Sequence, residues 1–189
     1  MPRGNSTSGK KTPAEKREEL REGLWPGSEH MIWSRHRNDG YTSIPRVLPL
    51  ILALIQQLCE KEDPSRVYFD LWARNWDEGI ITITDDEEFA YSSGYTSNRA
   101  VRSWRERVWK LAELGFIKVQ SSGNREIGHI LILNPLLVCA QRRAENKSFP
   151  DGWWPAFLRR TQEIGAVIPT VPPMPPPSRM PVLTVTAAG

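Results

Sequence analysis

Residues 79–133 read GIITITDDEEFAYSSGYTSNRAVRSWRERVWKLAELGFIKVQSSGNREIGHILIL, and the order of signals in this stretch decides the fold. Ile80, Ile81, Thr82 and Ile83 form a β-branched run, which predicts a strand. Thr84 followed by Glu87 has the spacing of a capping box, so the strand passes into a helix over about residues 85–93, with Phe89 and Ala90 turned inward. Gly94 supplies the backbone freedom for a sharp turn. Thr96 or Ser97 can then cap a second helix, which runs to Leu114 and stops at Gly115. Phe116 to Gln120 predicts a strand, Ser121 to Gly128 a polar loop carrying Arg125, and His129 to Leu133 the returning strand, broken by Asn134 and Pro135.

The second helix divides its chemistry by face. Val101, Trp104, Val108, Leu111 and Ala112 recur at helical spacing and predict a buried stripe. Arg99, Arg102, Ser103, Glu106 and Lys110 fall on the opposite side, flanked by Asn98, Arg105 and Trp109. Between Thr96 and Lys110 four arginines and one lysine stand against one glutamate, a local balance of +4. The whole protein carries only +3 over 189 residues, so positive charge is concentrated on this helix.

This ordered string, with Glu113-Leu114-Gly115-Phe116-Ile117 closing the basic helix, resembles the winged helix-turn-helix domains of bacterial DNA-binding proteins over about residues 65–133. The resemblance implies that residues 97–114 are a recognition helix lying in the major groove of double-stranded DNA, and residues 121–128 a wing reaching phosphates or the minor groove. On that reading Asn98, Arg99, Arg102 and Ser103 reach base edges, because residues near the start of a recognition helix reach deepest. Thr96, Ser97, Arg105, Lys110 and Lys118 sit nearer phosphates, which position without specifying sequence, and Arg125 is the contact from the wing. Arginine suits both tasks, since its fork grips a guanine edge bidentately or pairs with phosphate. One departure from the family pattern is the acidic run Asp85, Asp86, Glu87 and Glu88. It suits the positive end of a helix dipole but would repel phosphate if it faced DNA.

Around this region the chain holds one modest core with extensions, as its length and 39% hydrophobic content predict. The fold class expected is α+β, mainly helical: a winged helix-turn-helix core with extra N- and C-terminal helices and disordered tails. A pI near 9.0 suits nucleic acid or another acidic partner. Cys59 and Cys139 stand far apart, outside any metal-ligand spacing, and read as small core thiols kept reduced in the cytoplasm, or at the nucleoid if DNA is the partner. There is no Walker-type phosphate loop, Gly-x-Ser-x-Gly elbow, His-Glu-x-x-His or metal-suited cysteine pair, so no catalysis, cofactor or metal is expected.

Residues 1–23 mix opposed charges with almost no apolar side chains and predict a disordered tail, at most a nascent helix from Pro13 to Leu24; no apolar signal core follows Arg3. The tail reads either as a basic arm adding phosphate contacts or as a solubilising extension. In residues 24–64 an aromatic strap comes first, where Trp25, Met31, Ile32, Trp33 and Tyr41 alternate with His30, Arg35, His36 and Arg37. It either docks on the domain surface or contacts nucleic acid. Ser43 to Glu60 follows, the most hydrophobic segment yet too short to span a membrane. It is either covered within its own domain or forms a homodimer seam, and Pro49 marks a kink or a delayed helix start. Residues 65–134 make the winged domain, opened by a helix to Trp76 with Trp72 and Trp76 in the core. In residues 135–166 two helices are expected, the second either packing back on the domain or offering Trp153 and Trp154 to a protein partner. From Val167 to the end proline density excludes helix and sheet and predicts a disordered tail. The function favoured is double-stranded DNA binding, in transcription regulation or on a mobile element. The rival is a non-catalytic winged-helix subunit of a nucleoprotein complex acting through protein contacts.

Overall fold

The computed structural model describes residues 11–59 and 61–171. The readings made for residues 1–10, for Glu60 and for the proline-rich residues 172–189 lie outside the described residues. Among those described, the chain is α+β, with seven α-helices and a three-stranded antiparallel sheet, and it divides into two units between Tyr41 and Thr42.

In the first unit, Pro13 to Leu24, expected to be at most a nascent helix within a disordered tail, form helix α1 (Pro13–Leu24). The cause of the difference is local. Glu15 donates its backbone N–H to Thr12 Oγ1 at 3.3 Å, and Thr12 donates its own to the Glu15 carboxylate at 2.7 Å, which closes a capping box with Pro13 in the first turn. None of the helix is buried. A 3-10 turn (Ser28–Met31) follows. Trp25, Met31, Trp33 and Tyr41 are exposed, and within this unit the Trp33 and Tyr41 rings meet edge-on at 5.9 Å.

The second unit contains α2 (Leu48–Leu58), α3 (Ser65–Arg74), β1 (Ile80–Thr82), α4 (Asp86–Ser92), α5 (Ala100–Leu114), β2 (Ile117–Ser122), β3 (Arg125–Ile132), α6 (Pro135–Ala144) and α7 (Trp153–Glu163) around a single core. Pro49 sits in the first turn of α2, so the helix starts late and does not kink. Leu48, Ile51, Leu54 and Ile55 of α2 are buried in that core. The apolar stripe that a homodimer seam would need is therefore already covered by the chain itself. Part of the cover is α7, where the Trp153 indole N–H donates to the Leu50 carbonyl at 2.9 Å and its ring stacks on Phe149 and Phe157. Trp153 is thus a packing residue and not a surface for a partner, and half-buried Trp154 leans on the same two phenylalanines.

Helix α3 stops at Arg74, and Asn75 turns extended with ψ 141°. Trp72 is therefore buried while Trp76, expected beside it in the core, is 77% exposed. Arg74 bonds Asp70 of its own helix at 3.1 Å and clasps α3 to α4 through Glu88 at 3.0 Å and Ser92 at 2.8 Å, with its guanidinium over the Phe89 ring. The sheet runs β1-β3-β2. Ile81, Ile130 and Val119 share a row facing the core, whereas Ile80, Leu131 and Lys118 form the neighbouring row on the outer face. The β2–β3 connection is shorter than the eight-residue loop expected, because Ser122 pairs with Arg125 and leaves Gly123 and Asn124 as a two-residue turn. A register shift between Gln120 and Ser122 presses Ser122 onto Gly128. A Cβ at residue 128 would lie 2.3 Å from Ser122 Cβ and 2.6 Å from its backbone nitrogen, so the position requires glycine.

Candidate nucleic-acid interface

Helices α4 and α5 meet across a turn in which Gly94 has φ 88°. The cap of α4 is Asp85, whose carboxylate accepts the Glu87 backbone N–H at 2.9 Å. Thr84, expected in that role, lies one residue too early, and a carboxylate is the stronger acceptor at the positive end of a helix. Helix α5 likewise begins later than expected. Residues 97–99 form a turn in which the Ser97 carbonyl accepts the Ala100 N–H at 2.8 Å and the Ser97 hydroxyl accepts that of Arg99 at 3.3 Å. From there α5 buries Trp104, Val108 and Leu111, with Val101 and Ala112 half-buried.

Thr96, Ser97, Asn98, Arg99, Arg102 and Arg105 line one open groove along the exposed first half of α5. The other predicted site residues do not line it. Ser103 is half-buried, and its carbonyl accepts from Arg107. Lys110 is drawn to Glu113 at 2.8 Å, Lys118 projects from the outer sheet row with Ile80 and Leu131, and Arg125 is held by Asp86. The groove also takes in Glu87, Tyr91, Tyr95, Glu106, Trp109 and Glu126, which sequence reasoning did not assign to the site. Trp109 could have been found, since it follows Arg102 by two helical turns and shares its face. Tyr91 and Glu126 come from other elements and carried no such signal.

The fold trims the charge surplus of this region. Arg102 pairs with Glu106 at 2.9 Å across one helical turn. Arg107 turns inward, with its side chain 16% exposed and its guanidinium over the Tyr95 ring. Within the acidic run Asp86 turns inward. It is buried, and it accepts from Arg105 Nε at 2.7 Å and from Arg125 Nη1 at 3.1 Å. Glu88 is occupied by Arg74. Of the acidic run, Asp85 caps, Asp86 and Glu88 hold arginines, and Glu87 lines the groove.

Among the described residues no three His, Cys, Asp or Glu side chains gather to hold a metal ion, and no helix is long and apolar enough to cross a membrane. Both cysteines are free and buried; burial pushes the Cys139 thiol up to about 12 and raises that of Cys59. Comparison with protein-family models, with curated proteins and with solved structures found no match.

Proposed function

We propose that residues 65–133 form a winged helix-turn-helix domain that binds double-stranded DNA, with α5 presented to the major groove and the β2–β3 hairpin beside it as the wing. The observation that carries this reading is the convergence of Thr96, Ser97, Asn98, Arg99, Arg102 and Arg105 in one open groove at the start of a 15-residue helix. The order helix, strand, helix, helix, hairpin stands behind it. Asn98, Arg99 and Arg102 take the base edges, while Thr96, Ser97 and Arg105 lie nearer phosphate.

The Glu106 contact does not disable Arg102. Releasing an exposed pair of this spacing costs about 0.3–0.5 kcal/mol, and a bidentate grip on a guanine edge returns about 1–3 kcal/mol. Glu87, Glu106 and Glu126 temper the local field, so the interface depends on hydrogen-bond geometry more than on bulk attraction. The biological use is regulation of transcription or a task on a mobile element, within the cytoplasm at the nucleoid.

Fluorescence anisotropy of a labelled duplex across a salt series tests the reading. Wild-type protein is expected to bind with a steep salt dependence that flattens in Arg99→Ala/Arg102→Ala. Absence of wild-type binding at low salt would sink the proposal.

A second reading has an observation of its own. Ile80 and Leu131 are exposed on the outer sheet face, and Trp76 is exposed four residues before Ile80, well outside the groove. In that reading the domain is a non-catalytic subunit docked in a nucleoprotein complex through protein contacts. Trp76→Ala/Leu131→Ser would then abolish assembly while leaving duplex affinity unchanged.

A further inference from the structure

Asp86 stands where three elements meet. It opens α4, its side chain is 10% exposed, and its two oxygens are divided between two arginines. Oδ2 accepts from Arg105 Nε on α5 at 2.7 Å, and Oδ1 accepts from Arg125 Nη1 at the start of β3 at 3.1 Å. Both arginine side chains remain 47% exposed. A carboxylate is costly to bury unless it is paired, so the two bonds hold Asp86 in place and Asp86 holds them. A guanidinium carries five N–H donors. The bonds to Asp86 occupy part of each set, and about half of each side chain still faces solvent.

We propose that Asp86 is a positioning residue that fixes Arg105 and Arg125 as a matched pair of phosphate donors, one on the helix and one at the base of the hairpin. The inference rests on the DNA-binding reading and deepens it. A long flexible arginine loses rotamer freedom when it grips a phosphate, and here that freedom is already restrained before DNA arrives. A guanidinium held from behind by a carboxylate also keeps its outer edge in a constant direction, which suits a backbone oxygen at a repeated position. Arg125 therefore acts from the base of the hairpin and not from its tip, and the spacing between helix and hairpin contacts is set by one buried side chain.

The charge balance makes the proposal testable by sign. Two arginines with one carboxylate carry a net +1, so neutralising Asp86 makes the surface more positive. Attraction alone then predicts tighter DNA binding for Asp86→Asn, whereas loss of positioning predicts weaker binding. Glu78→Gln is the matched control. It makes the same change of charge on an exposed residue just before β1, outside the groove and with no bond to either arginine.

With a mixed-sequence duplex at fixed salt, Asp86→Asn is expected to bind about three- to tenfold more weakly than wild type, and Glu78→Gln as well as wild type or up to about threefold more tightly. The salt slope of Asp86→Asn is expected to fall by roughly one to two phosphate contacts, a change that mere loosening of the fold would not produce. Asp86→Glu retains the charge but displaces the carboxylate by one methylene, so it too is expected to bind more weakly; it replaces Asp86→Asn if circular dichroism finds the latter unfolded. Folded Asp86 variants that bind as tightly as wild type, or more tightly, overturn the inference while leaving DNA binding intact. Wild-type protein that binds no duplex at low salt overturns the DNA reading itself, and this inference with it.

Discussion

Leu54 tests whether the most apolar helix belongs to the core of its own chain. It is fully buried on α2, as are Ile51 and Ile55. Leu54→Ala removes about three methylene equivalents, and at roughly 0.8 kcal/mol each the transfer loss alone is about 2.4 kcal/mol. The cavity left behind raises this to about 3–5 kcal/mol. In a unit of this size each kcal/mol corresponds to about 2–4 °C, so the Tm is expected to drop by roughly 6–20 °C. Leu54→Asp places an unpaired carboxylate in the same site, at a cost comparable with the whole stability of a typical domain, about 5–15 kcal/mol. It is expected to be unfolded or aggregated. Thermal and urea unfolding at several protein concentrations, with sedimentation to fix the oligomeric state, distinguishes this from a dimer seam. A seam would make the wild-type Tm rise with concentration and Leu54→Asp a soluble folded monomer. A cooperatively folded Leu54→Asp monomer would refute the core placement.

Gly128→Ala drives a Cβ to 2.6 Å from the Ser122 backbone nitrogen; the hairpin is expected to lose about 1–3 kcal/mol, and an unchanged urea midpoint would contradict the close approach. Trp153→Phe keeps a ring in the aromatic stack but strips the Leu50 carbonyl of its donor, for a loss of about 1–3 kcal/mol in chemical denaturation. Arg102→Ala is expected to cost about 1–3 kcal/mol of duplex affinity and relax sequence preference. Lys118→Ala, from the outer sheet row, is expected to change affinity by less than about twofold; equal losses at both positions would return Lys118 to the interface. Because burial holds the Cys139 thiol near 12, the thiol is protonated at pH 8 and its alkylation is expected to follow global unfolding. Rapid labelling of Cys139 in native protein would contradict its packing.

Much of this was written in local signals. The strand at Ile80, the two helices around Gly94 and the hairpin follow from periodicity and turn residues, and the structure moves their ends by a few positions. Some errors were avoidable. Thr12 and Glu15 already spell the capping box of α1, and Gly123-Asn124 already spells a two-residue turn. Others were not avoidable. Whether Trp76 enters the core depends on α3 stopping at Arg74, two residues before it. The environment of Asp86 depends on Arg105 and Arg125, 19 and 39 residues further along.

Taken alone, the amino-acid order determined which elements form, in what succession, and which helix carries the arginines, because caps, turns and hydrophobic periods act over a few residues. The tertiary structure decided what each charged and apolar face meets. Coulomb interaction and desolvation depend on distance in space, so a cluster of +4 along the chain becomes Arg99 on the surface, Arg102 beside Glu106, Arg105 on Asp86 and Arg107 turned inward. The same holds for α2. Its sequence demanded cover on most sides, and the identity of that cover was settled by Trp153 reaching the Leu50 carbonyl across 103 residues of chain.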